Sequence, residues 1–155
     1  TNVYTPGSGG IPSGGGSGSD LNEAVLNAAL RATWEQSSGQ IDTIVVGGFQ
    51  KRRINAFAST LRAYQPEDVN YRDLVGAYES DFGVCRVIMS RWVPTDQLLL
   101  LDSSRIEVMP LRGRSFGYKP MGTTGDAVHG QVVGEYTMEF KNENAHALIK
   151  GLSTS

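Results

Sequence analysis

Residues 20–48 read DLNEAVLNAALRATWEQSSGQIDTIVVGG, and the hydrophobic period changes once within them. Leu21, Val25, Ala28 and Ala32 recur at helical spacing, and Leu26, Leu30 and Trp34 form a second apolar row beside them. The polar row is narrow (Glu23, Asn27, Arg31, Glu35), which predicts a largely buried helix. Asp20 followed by Glu23 resembles a capping box, Ser19 is an alternative cap, and Ser37-Ser38-Gly39 ends the helix. The β-branched run 42–46 then predicts a buried strand closed by Gly47-Gly48.

Toward the C-terminus, Ile54, Phe57, Ala58 and Leu61 share one face and predict a second helix over 50–60. Polar residues and Pro66 make 64–73 a loop. Strand-like runs follow at 74–79, 84–92, 97–101 and 105–109, with turn chemistry at 81–83 and 94–96. Five glycines and Pro120 predict a long surface loop over 112–130. Tyr136, Met138 and Phe140 alternate with Glu135, Thr137, Glu139 and Lys141, giving one last strand over 131–141, and 144–152 is a short apolar tail. Helices first and strands afterwards make an α+β fold without internal repeats.

Toward the N-terminus the character changes. Seven glycines, four serines and two prolines fall within residues 1–19, and such a stretch buries too little surface to offset its chain entropy. A flexible linker or loop is expected. A phosphate-cradling loop would need a strand before it and a Lys-Ser or Lys-Thr opening a helix after it, and the sequence supplies neither. The opening at Thr1, with no signal-peptide pattern, fits a processed product or the C-terminal part of a longer chain.

Composition narrows the function. At 155 residues, 39% hydrophobic and 19% charged, the chain can bury a core of its own. A net charge of −2 argues against a general nucleic-acid binder, which needs a strongly basic face. The single cysteine, Cys85, excludes an internal disulfide framework and a multi-cysteine zinc site, and no metal or cofactor is expected. The longest apolar run, 98–101, is strand-sized, so no membrane partner is expected.

Each catalytic pattern has a plainer reading. Cys85 and Arg91 have the spacing of a cysteine-phosphatase loop, but Arg86-Val87-Ile88-Met89-Ser90 between them cannot easily curl round a phosphate and read as strand. Asp81-Phe82-Gly83 matches a kinase magnesium triplet without the other kinase motifs and reads as a hairpin turn. His129 and His146 are far apart with no nucleophile or further ligands at useful spacing, and Glu135, Glu139 and Glu143 read as a solvated face. Lys51-Arg52-Arg53 is the only basic run. It could grip phosphate, but without an aromatic platform it reads as intersubunit ion pairs or a solvated face. The chain is not expected to be an enzyme.

Several segments then resemble one family in order: VGGFQKRRI at 46–54, VGAYESDFG at 75–83, VIMSR at 87–91, LLLLD at 98–102, TGD at 124–126, GEYTMEF at 134–140 and IKGL at 149–152. The chain resembles the C-terminal half of tailed-bacteriophage major capsid proteins of the Hong Kong 97 type. The resemblance implies an axial-domain-like α+β region over 20–110 and a loop with a long peripheral-domain strand over 111–144. Residues 145–155 would return to the axial domain. The family's N-terminal arm, extended hairpin and spine helix have no counterpart, and 1–19 would be a remnant of the chain linking them. It further implies a virion shell subunit, assembled in the host bacterial cytoplasm into hexamers and pentamers. The shell would enclose a double-stranded DNA genome without sequence-specific binding. Partners would be copies of itself, with scaffold, portal and decoration proteins. Lys51, Arg52 and Arg53 are the subunit-contact candidates, from their clustering. The competing reading is a nucleic-acid or anion-binding module using the same three residues.

Overall fold

The computed structural model describes residues 2–15, 18–37, 39–62, 76–122 and 125–154. The expected loop 64–73 and the start of the strand expected at 74–79 lie outside them. The chain divides into two units, residues 1–103 with 142–155, and residues 104–141.

The described residues of the first unit form a mixed sheet with two α-helices. Its strands are β1 (Asn2–Tyr4), β2 (Thr43–Val46), β3 (Ala77–Ser80), β4 (Gly83–Met89), β5 (Leu98–Leu101) and, past the second unit, β10 (Ala147–Ile149). They lie in the order β1-β10-β5-β2-β4-β3, with β1/β10 and β2/β4 parallel and the rest antiparallel. Strand alternation separates the two faces. Ala147, Leu100, Ile44 and Val87 are in register, as are Ile149, Leu98 and Val46, and all seven are buried. They pack with Val25, Leu26, Ala29 and Leu30 of α1 (Glu23–Gln36) and Ile54 of α2 (Gly48–Arg62) in one core.

Several expectations are corrected. Helix α1 is capped by Asn22, whose side chain accepts the Val25 N–H at 2.8 Å. Asp20 instead meets the Arg53 guanidinium at 3.5 Å. The helix buries one stripe rather than nearly its whole circumference, and Trp34 is 60% exposed, tilted against Phe82 with ring centroids 6.0 Å apart. The front is not wholly a tether. Asn2–Tyr4 pairs with β10, Tyr4 is buried with its hydroxyl 3.3 Å from that of Thr33, and Ile11 joins the core. Two strand-forming residues, Val3 and Tyr4, suffice because the β10 edge offers unpaired backbone groups to satisfy.

The second unit contains β6 (Ile106–Pro110), β7 (Gly117–Pro120), β8 (Gly130–Val133) and β9 (Tyr136–Phe140). The long strand expected over 131–141 is two strands: β8 pairs with β7, and β9 pairs with β6. The exchange occurs at Gly134-Glu135. A Cβ on Gly134 would lie 3.0 Å from the Tyr136 ring and 3.2 Å from that of Phe116, so a larger residue at this corner would have to shift those two exposed rings slightly. Glu135 holds the corner through backbone bonds with Leu111 and Arg114 and an ion pair with the Arg114 side chain. The region expected as a loop over 112–130 therefore holds β7. The units divide at 103/104 and 141/142 rather than at the expected 110 and 144, because β6 needs β9 as its partner.

The junction residues on the first unit's side are tied to its sheet. Asp42 accepts hydrogen bonds from the Ser103 N–H and hydroxyl. The Asp102 N–H donates to His146 Nδ1 at 3.3 Å, and the Asp102 carboxylate accepts the Gln40 N–H at 3.2 Å. Gly39 passes so close that a Cβ there would lie 2.5 Å from Ala145 Cβ.

Candidate assembly surfaces

The residues weighed for catalysis take up structural positions. Cys85 points into the core from β4, and its thiol donates to the Ile41 carbonyl at 3.4 Å. Burial, and secondarily the Asp42 charge, pushes its pKa up to about 11, so the nucleophilic thiolate is scarce at neutral pH. Arg91 is exposed just beyond the same extended strand, where it cannot join a loop curled around that sulfur. Asp81 and Phe82 are the tip of the β3–β4 hairpin. His129 belongs to the second unit and the buried His146 to the first. Among the described residues no group of three or more His, Cys, Asp or Glu could hold a metal ion.

The basic run is divided by the fold. Lys51, Arg52 and Arg53 occupy the opening turns of α2, whose first turn carries no acidic residue. Arg53 turns inward to Asp20 and lies 5.4 Å from the centre of the Phe49 ring. Lys51 is half-buried, and that burial lowers its pKa. Arg52 is exposed. Immediately before them in the helix, Gln50 is fully buried, and its amide donates to the carbonyls of Thr95 at 2.8 Å and Ser153 at 2.9 Å. This clamp fixes the 93–96 loop and the C-terminal segment against α2. The Ser90 N–H bonds the Val46 carbonyl at 2.9 Å, setting Arg91 and Trp92 at the same end of the sheet as α2's first turn. Trp92 is 87% exposed and Met89 66%. Sequence reading missed both, having placed them within a single strand over 84–92. An exposed tryptophan beside arginines has the composition of an interface centre, where Trp, Met and Arg are enriched.

The opposite end of β4 has the opposite sign. Glu79, near the end of β3, and Asp81, in the β3–β4 turn, are both exposed. Nearby, the Tyr78 hydroxyl bonds Asn27 at 3.0 Å, and its pKa is raised by burial, then by the charges of Glu23 and, more weakly, Asp81.

The described residues also form two apolar faces. In the β6–β9 ladder Ile106 faces Phe140, Val108 faces Met138 and Pro110 faces Tyr136, so one face of this ribbon is entirely apolar. The reverse face carries Glu107, Glu139, Met109 and Thr137, with Lys141 paired to Glu107. No described residue of 104–141 is buried. On the first unit's sheet, the face away from the helices bears the row Val3, Leu148, Leu99, Val45 and Ile88, in register across five strands.

Comparison with known proteins gives the context. A crystal structure of a virus-like particle from Pyrococcus furiosus is similar at 17% identity and a TM-score of 0.45, over 91% of this chain and 56% of that one. The chain thus spans little more than half the length of that protein. No curated protein matches the sequence significantly. The sequence pattern of the SU10 major capsid protein family matches residues 8–153, nearly the whole chain. The chain belongs to the SU10 major capsid protein family, a family of capsid structural subunits.

Proposed function

We propose that the chain is the shell-building part of a capsid subunit of the Hong Kong 97 type, which self-assembles into hexamers and pentamers around a double-stranded DNA genome. The observation that carries this reading is the second unit, in which no described residue is buried and one ribbon face is wholly apolar. A two-stranded ribbon is marginal alone in water, and a contiguous exposed apolar face marks an interaction surface. A shell subunit needs contact surfaces of this kind and no active site. Each contact can be modest, because a closed shell sums many of them.

Lys51 and Arg52 are contact candidates on this reading, with Arg53 supporting them from its bond to Asp20. Scaffold, portal and decoration proteins, assembly in the host bacterial cytoplasm, and enclosure of the genome without sequence recognition belong to the same proposal. The anion-binding alternative is weakened because Arg53 is already engaged by Asp20, leaving a small electrostatic footprint.

The test is negative-stain electron microscopy of the complete reading frame expressed with its genomic neighbours. Closed icosahedral shells or rings are expected. Small monodisperse particles under all conditions would overturn the proposal, and steeply salt-dependent DNA binding by those particles would favour the alternative.

A further inference from the structure

We infer that neighbouring subunits meet head to tail through the two ends of strand β4. Arg52, Arg91, Met89 and Trp92 of one copy seat against Glu79, Asp81, Phe82 and Trp34 of the next. This contact rests on the shell reading above and specifies a surface for it.

Three observations carry the pairing. The first is charge. Among the described residues, Arg52, Arg91, Glu79 and Asp81 make no ion pair, and all four are exposed. The second is separation. Strand β4 is seven residues long, which puts the two patches about 20 Å apart, too far to neutralise each other within one copy. A two-fold contact made by either patch with itself would oppose like charges. Opposite patches can pair twice in an antiparallel two-fold dimer or once in a heterologous contact; the shell reading requires the heterologous one, which gives a ring when it closes. The third is preorganisation. Trp92 is 87% exposed, yet its loop is fixed by the Gln50 clamp, by the Ser90–Val46 backbone bond and by the Trp92 N–H to the Ser90 hydroxyl at 3.3 Å. On the acidic side, the Trp34 and Phe82 rings already pack together. Two ordered aromatic surfaces framed by opposite charges lose little conformational freedom on meeting.

The experiment uses the full-length protein and charge exchange. One variant carries Arg52→Glu with Arg91→Glu, the other Glu79→Arg with Asp81→Arg. The altered side chains are exposed, and unchanged circular dichroism and melting temperature establish that both variants fold. Each variant alone is expected to raise the critical concentration for assembly about thirtyfold, measured by sedimentation velocity. The first variant has two acidic ends and the second two basic ends, so an equimolar mixture is expected to recover assembly in alternation. Alternation closes six-membered rings but not five-membered ones. The mixture should therefore give hexamers or flat hexameric sheets without closed shells, whereas one chain carrying all four substitutions should recover both ring sizes. Trp92→Ala should weaken assembly without altering charge. If the wild-type protein forms shells and both exchange variants form them at the wild-type concentration, this contact is wrong and the shell reading stands. If the wild-type protein forms none, the shell reading itself falls.

Discussion

At the scale of single residues, Gln50 and Cys85 show how buried polar atoms tie this fold together. Gln50 lies in a helix opening whose neighbours are cationic, yet it is the residue that reaches the core and bonds two carbonyls from distant segments. Gln50→Leu keeps the volume and leaves those carbonyls without their donor, so it should destabilise the folded chain by about 2 kcal/mol in urea titration. A change within about 0.5 kcal/mol, as at ordinary surface sites, would mean the clamp is dispensable. Cys85 gives a pH signature. Its folded pKa of about 11 lies above the ordinary thiol value, so between the two the unfolded chain loses a proton that the folded chain keeps. Its contribution should therefore hold constant below about pH 8.5 and fall as pH rises toward 11. Cys85→Ala should flatten that part of the stability profile. These roles were only partly legible in sequence: the strand pattern marked Cys85 as buried, but nothing local shows which carbonyls will surround Gln50.

At the scale of elements, legibility followed the strength of the local period. Helices α1 and α2 and strands β2 and β5 carry enough apolar residues at one spacing to announce themselves. Strand β1 does not, because its three residues precede a glycine-rich stretch whose composition dominates the average. Strand β10, read as an apolar tail, holds an interior place in the sheet because β1 and β5 pair with it from either side. Such pairings are decided by residues more than forty positions away. Tyr4→Ala separates the two views of the front. A residue in a tether would make almost no difference, whereas removing the Tyr4 ring from this core should cost about 3 kcal/mol, read from the urea midpoint. The same contrast applies to the candidate contact. The basic run stood out in sequence, but only the tertiary structure separates the outward Arg52 from the inward Arg53 and sets Trp92 at the same end of the sheet as the first turn of α2.

At the scale of the whole molecule, the apolar ribbon face and the stability of the chain should respond independently. Val108 and Met138 face each other across β6 and β9, at 65% and 55% exposure, so neither contributes much to the free chain by burial. Replacing both with lysine places like charges opposite each other, a cost of some tenths of a kcal/mol in a solvated ribbon, and leaves the core of the first unit untouched. In an assembled particle the same pair would carry two charges into an apolar contact, where an unpaired charge is far more costly than in water. The Val108→Lys, Met138→Lys double variant should therefore unfold at nearly the wild-type urea concentration while its assembly is lost. Hydrogen exchange gives the companion measurement. Backbone amides of 106–110 and 136–140 should exchange quickly in dispersed subunits and slowly in particles, because packing against a neighbour suppresses the opening of a ribbon that buries nothing of its own. Equal protection in the two states, or undisturbed particles from the double-lysine variant, would mean that the ribbon face stays open to solvent in the shell and that assembly runs through the first unit alone.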